Sequence, residues 1–199
     1  PVVALSNLSN TLAHTFACAQ RLFDLLDEEP QVTEVEGMAT VEMNELAFDQ
    51  VTFTYPNGKT PIFNEASVSI KKGDKLALIG PSGIGKSTFI KLLMRYFDVE
   101  KGCVEIDGTN ISEIPTASLR TKQTLVSQET YLFNDTIANN IKIGKADATL
   151  EEVIEAAKKA SIHEFIETLP NGYETKVGEL GGMVSSGEKQ RLGLARAFL

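Results

Sequence analysis

Eight consecutive residues, Gly80-Pro81-Ser82-Gly83-Ile84-Gly85-Lys86-Ser87, constrain this 199-residue chain more than any other feature. They complete a G-x-x-x-x-G-K-[ST] run, with Thr88 directly after it. Glycines at this spacing open left-handed backbone conformations and keep side chains out of the way, so that several N–H groups can face one polyphosphate. The run follows the apolar stretch KLALIG (75–80), which reads as a buried strand. It precedes STFIKLLMRYF (87–97), whose apolar residues recur with helical period. A helix starting near Lys86 points its free first-turn amides and its dipole at the same anion. Lys86 adds a point charge for the β- and γ-phosphates, and Ser87 a hydroxyl for Mg2+. The expected ligand is a nucleoside triphosphate with magnesium.

Composition is compatible with this and excludes little else. Hydrophobic residues make up 42% of the chain and charged ones 23%, ordinary for a globular domain. The net charge of -8 argues against nucleic acid as a partner, which would call for a basic face. It does not argue against a nucleotide, which needs only a few local cations and amides. Cys18 and Cys103 stand far apart without ligand spacing, and are expected to be small buried or half-buried side chains.

Along the chain, the first segment reads as one helix over 1–29, with Val3, Leu5, Leu8, Leu12 and Phe16 at helix-like intervals. It carries no charge before Arg21 and is too polar for a lone lipid-facing helix; it fits packing against other helices. Pro30 blocks its continuation, and 31–44 reads as a linker. LAFDQVTFTY (46–55), ASVSI (66–70) and GCVEIDG (102–108) read as strands, and QTLVSQ (123–128) as a further buried strand. Thr149 and Glu152 form a capping box for LEEVIEAAKKA, IHEFIETL (162–169) gives a short helix, and 185–199 is helical again. This alternation after a β-rich start predicts an α/β fold with an added β-layer and a helical insertion.

The residues around the glycine-rich loop narrow the choice among chains that carry one. Tyr55, within FTYP, stands just before a turn, Gln128, within LVSQET, ends the expected buried strand, and VSSGEKQRLGLARAFL runs to Leu199. In their order, over about 46–199, these resemble the ABC-type ATPases, specifically the nucleotide-binding domain of an exporter-type half-transporter. TKVGELGG (175–182) is similar to the segment exporters use against their membrane partner, with Leu180 where Arg is frequent. The narrower pattern of VVALSNL, FDLLDEEP and the signature Glu resembles the thiol-exporting, cytochrome-assembly subfamily.

The resemblance implies a P-loop NTPase (RecA-like) core with an antiparallel β-layer and a helical subdomain, ATP and Mg2+ as cofactors, and ATP-driven export. Residues 1–30 would be the end of the last transmembrane or connecting helix, 31–44 a linker, and 45–199 the nucleotide-binding domain. Gly80 through Thr88 would hold the phosphates, Tyr55 would stack on adenine, and Ser87 and Gln128 would serve Mg2+, Gln128 also facing the attacking water. Ser185, Ser186, Gly187 and Glu188 would touch the γ-phosphate bound to a second nucleotide-binding domain. The common signature is Leu-Ser-Gly-Gly-Gln, so Val184, Ser186 and Glu188 depart from it; Ser185 and Glu188 also form a capping box for the last helix. Partners would be that second domain and a transmembrane domain of the same polypeptide, at the cytoplasmic side of the cell membrane. In the family the Mg2+-binding Asp, the catalytic Glu and the switch His lie beyond the position of Leu199, so the chain by itself is expected to bind MgATP without turning it over. His14 and His163 read as surface or helix residues. A soluble ABC ATPase and a small-molecule kinase are the alternatives.

Overall fold

The computed structural model describes residues 2–28, 30, 32–37, 39, 41–178 and 184–199. The chain divides into two units, Pro1–Lys122 and Gln123–Leu199.

In the first unit, β1 (Glu45–Phe53) pairs antiparallel with β2 (Phe63–Lys71) and with β3 (Lys101–Ile106), and β3 with β4 (Thr109–Asn110). The sheet order is β2-β1-β3-β4. Phe48, Val51 and Phe53 are all buried, a spacing that strict alternation forbids. The ladder to β2 shifts between Phe48 and Val51, and Gln50 takes a φ of 46°, so one extra residue resets the inward face. The bulge also needs Gly102: with φ at 74°, a Cβ there would sit 2.2 Å from the Asp49 carbonyl oxygen. Helix α2 (Lys86–Leu93) covers this face with Phe89 and Leu92, and the Phe89 ring stacks on Phe48 at 4.5 Å between centroids. This packing holds the start of α2, and the glycine-rich loop before it, against the sheet. A short helix α3 (Thr116–Arg120) closes the unit.

Helix α1 (Val2–Leu26) agrees with the sequence reading apart from its last residues. Of its expected apolar face, Leu12 and Phe16 are exposed, while the side chains of Val3, Leu5 and Leu8 lie outside those described. Cys18 is exposed, contrary to expectation, and Cys103 is half-buried. Among the described residues, no helix is long and apolar enough to cross a membrane.

Two expected strands are corrected. Residues 75–80 and 123–128 form no strand, and Leu76, Leu78, Ile79, Leu125 and Val126 are exposed. A strand is completed by its neighbour's hydrogen bonds, and among the described residues neither run has a ladder partner. The apolar composition of a buried strand is present; the pairing is not.

The second unit is helical: α4 (Ile137–Lys142), α5 (Leu150–Lys159), α6 (His163–Thr168) and α7 (Ser186–Phe198) surround Ile137, Ile141, Val153, Ile162, Ile166 and Leu192, all fully buried. The capping box of α5 forms as expected, with the Glu152 amide donating to Thr149 Oγ1 at 3.2 Å and the Thr149 amide to Glu152 Oε2 at 2.8 Å. Helix α4 was not legible in the sequence. Thr136 caps it, and the Asp135 carboxylate accepts from the Thr136 amide and the Asn139 side chain at 2.7 and 3.0 Å. These two donors hold the Asp135 carboxyl below its ordinary 3.8. A depressed carboxylate stabilises the fold above its unfolded pKa, and the effect disappears as pH falls through the folded value. Below about pH 4, Asp135→Asn is therefore expected to flatten the acid loss of stability of residues 123–199, read by denaturant titration across pH.

Candidate nucleotide site

The glycine-rich loop takes the shape that its glycines permit. Gly83 and Gly85 have φ of 83° and 109°, left-handed values at which a side chain is strained. Gly85 is the N-cap of α2 without any side-chain cap, and no acidic residue stands in the first turn. The first-turn amides of α2 have no intrahelical acceptors, and the positive end of the helix is open to an anion. Lys86 folds over the loop, its Nζ donating to the carbonyls of Gly80 and Pro81 at 2.9 and 2.8 Å. Its ammonium thus stands at the cradle itself, with donors to exchange from these carbonyls to a phosphate. Ser87 is exposed at the same rim, whereas Thr88 is buried.

Tyr55 is half-buried beside this helix. Its ring meets Phe53 and Phe97 edge-on at 5.1 and 5.2 Å, and its hydroxyl lies 3.1 Å from Thr88 Oγ1. The Lys91 ammonium stands 5.7 Å from its centroid. The ring is therefore anchored to α2, and a base stacking on it would share that face with Lys91. Lys91 was not singled out from the sequence.

In the second unit, Gln128 is exposed, and its carbonyl accepts from Gln190 Nε2 at 3.0 Å. This bond ties Gln128 to α7, the helix that begins at the signature-like residues. The loop after Gln128 is held by a cluster that sequence reading missed. Arg196 donates to the Asn140 carbonyl, the Tyr131 carbonyl and Asn140 Oδ1 at 2.7, 2.7 and 2.9 Å. The buried Asn140 in turn bonds the Phe133 backbone on both sides, accepting at 2.9 Å and donating at 3.0 Å. Burial lowers the pKa of the Arg196 guanidinium. The visible signal was a lone Arg inside the short apolar run LARAF.

At the start of α7 the expected capping box is present: the Ser185 amide donates to Glu188 Oε2 at 2.6 Å and the Glu188 amide to Ser185 Oγ at 3.4 Å. Glu188 is thus turned back onto the cap. Ser185, Ser186 and Gly187 are exposed, and a Cβ at Gly187 would meet nothing within 4 Å. The Glu179–Gly182 part of TKVGELGG lies outside the described residues.

The residues present fit a nucleotide. The cradle offers left-handed glycines, free amides and a cation at one place. For magnesium, no group of three His, Cys, Asp or Glu among the described residues could hold a metal ion. The donor that the cradle itself offers is the exposed Ser87 hydroxyl, a hard oxygen of the kind that magnesium takes beside phosphate oxygens. His163 lies elsewhere, half-buried in α6 with Nδ1 2.8 Å from the Tyr173 hydroxyl and Nε2 3.3 Å from the Glu167 carboxylate.

Known proteins match the chain over most of its length. The family description "ABC transporter" fits residues 63–199. A probable ABC transporter ATP-binding/permease protein of Haemophilus influenzae is 50% identical over 200 residues, covering 100% of this chain and 36% of that protein. The human ATP-binding cassette sub-family B member 6 is 44% identical over 186 residues, 92% of this chain and 22% of its own length. The solved structure of a bacterial Atm1-family ABC exporter with ATP bound superposes with a TM-score of 0.85 at 39% identity, covering 94% of this chain and 33% of that one. The chain thus spans between about a fifth and about a third of the length of these relatives. The likeness to the exporter also shows an ABC ATPase fold of the P-loop class, as the loop and its flanks predict. The cradle, the capped signature-like helix and these matches agree, and the chain belongs to the ABC transporter family.

Proposed function

We propose that this chain binds MgATP and serves as the nucleotide-binding part of an ATP-driven exporter. The observation that carries the reading is the cradle: left-handed Gly83 and Gly85, the open start of α2, and Lys86 folded over the loop. The amides and side chains of residues 80–88 hold the phosphates, Ser87 serves Mg2+, and Tyr55 receives the base; a part for Gln128 at the metal rests on the family resemblance alone. When bound, MgATP supplies the charge and the hydrolysable bond; the chain's residues bind, orient and shield it.

Export rests on the kinship to ATP-binding/permease proteins and to the Atm1-family exporter. On this reading a transmembrane domain is the partner and the nucleotide side faces the cytoplasm. The exposed start of α7 is assigned to the triphosphate of a second copy or a homologous domain. Ser185 and Gly187 present the helix start, while Glu188, held by the cap, keeps its charge turned toward its own backbone. Thiols as cargo, which the sequence pattern suggested, are in none of the names of the relatives described above.

The test uses Gly187. Its φ is not left-handed, and an added Cβ meets open space, so Gly187→Asp is expected to leave the fold and the single-chain ATP affinity intact. A carboxylate facing a triphosphate should nonetheless reduce MgATP-driven pairing of two chains at least ~10-fold in sedimentation velocity, since like charges at close range cost several kcal/mol. Equal pairing by the variant would rule out the composite site.

A further inference from the structure

The linker expected at 31–44 is not a free tether. The Thr33 carbonyl accepts from Arg95 Nη2 at 2.8 Å, Glu34 Oε1 accepts from the Thr116 amide at 3.0 Å, and the Ala39 amide donates to Ser118 Oγ at 2.9 Å. Val41 is buried in the sheet core. The described residues between α1 and β1, 32–37, 39 and 41, thus form a strap laid along the first unit.

The anchor of this strap is an arginine in an unusual position. Helix α2 ends with the Arg95 amide bonded to the Leu92 carbonyl and the Tyr96 amide to the Lys91 carbonyl, both at 2.9 Å. This is a Schellman ending, and its left-handed residue is normally glycine. Here it is Arg95, with φ at 48° and 2% exposure. A non-glycine residue in this conformation is disfavoured, and a buried guanidinium needs every donor met. Each of its three nitrogens has an acceptor: Asp98 Oδ1 at 3.2 Å for Nε, the Ile114 carbonyl at 3.0 Å for Nη1 and the strap carbonyl of Thr33 for Nη2. Such outliers persist where their surroundings hold them in place, and they point toward function.

Two routes join Arg95 to the cradle within this unit. Helix α2 is one, beginning at Lys86 and ending just before Arg95. The other runs from Thr88 through the Tyr55 hydroxyl and the Tyr55–Phe97 ring pair to Asp98, which pairs with Arg95.

We propose that Arg95 is a positioning residue that couples nucleotide occupancy of the cradle to docking of the strap 32–41, and through it to α1. The proposal rests on the nucleotide assignment made above. The described residues 32–37 and 39 belong to no helix or strand and none of them is buried, so the strap is the element able to adopt a second, released state. Coupling is reciprocal: if MgATP favours the docked strap, releasing the strap weakens MgATP binding by the same factor.

The test combines hydrogen–deuterium exchange over 32–39 with direct titration of MgATP on the intact chain. In the unaltered chain, saturating MgATP should slow exchange in this segment roughly fivefold or more, the lower end of ordinary coupling factors. Arg95→Lys keeps the charge but gathers its donors on one nitrogen, without the fork that reaches the three acceptors from Nε, Nη1 and Nη2; it should remove that protection and weaken MgATP by a matching factor. Glu34→Ala with Ser118→Ala loosens the strap without touching α2, so it guards against a mere folding defect at Arg95. It too should weaken MgATP several-fold while the exchange of β1 stays unchanged, an effect that a purely structural Arg95 would not produce. Normal MgATP affinity with strap exchange indifferent to nucleotide would overturn the coupling alone. Unchanged affinity in the strap variants would also overturn it. A chain that bound no nucleotide would bring down the ATP reading and this inference together.

Discussion

Lys86→Ala is expected to weaken MgATP binding roughly 10- to 150-fold, the range for removing one hydrogen bond to a charged group. The ammonium is already at the cradle, bonded to the carbonyls of Gly80 and Pro81. Those carbonyls belong to exposed residues, so water can replace the lysine and the fold should survive its removal. Isothermal titration of the variant, with thermal unfolding as the control, measures the effect. An unchanged dissociation constant would mean that phosphate is not what this lysine faces.

A larger loss is expected from Gly85→Ala, for two reasons that act together. Gly85 has φ of 109°, where an L side chain is strained by about 1–3 kcal/mol. In addition, its Cβ would sit 2.8 Å from Ile62 Cγ2 and 3.3 Å from Phe63 Cζ. Ile62 and Phe63 are half-buried against the sheet core, so withdrawing either of them sacrifices packing. With the strain at φ 109° added, the loop is expected to change conformation, and the start of α2 with it. MgATP binding should fall by more than a hundredfold, the effect of removing two or more charged-group hydrogen bonds at once. Gly83→Ala is an internal comparison: its φ is 83°, but an added Cβ meets nothing within 4 Å, so only the strain applies and the loss should be smaller. Equal losses at the two positions would show that the crowding by Ile62 and Phe63 is immaterial.

What was legible in the sequence follows from how local the physics is. The glycine-rich loop and the capping boxes at Thr149 and Ser185 are set by neighbouring residues, and the structure shows them, while the strands read at 46–55 and 102–108 form because β1 and β3 find each other as ladder partners. Strands at 75–80 and 123–128 were expected from apolar composition, yet pairing depends on distant chain, and among the described residues neither run is paired. Arg95 and Arg196 escaped notice because each acts through carbonyls far along the sequence: Thr33 and Ile114 for one, Tyr131 and Asn140 for the other. The hint was a single charge inside an apolar run, LLMRYF and LARAF. For the same reason 31–44 read as a mere linker, since the acceptors and donors of the strap, Arg95, Thr116 and Ser118, stand more than sixty residues downstream.

The most direct test of the central claim is a competition titration with a fluorescent ATP analogue and magnesium, displaced in turn by ATP, ADP and AMP. A cradle that grips β- and γ-phosphates predicts displacement in the order ATP, then ADP, with AMP weaker than ATP by at least ~10-fold for each charged hydrogen bond that it cannot make. Equal displacement by AMP, or binding indifferent to the number of phosphates, would contradict it.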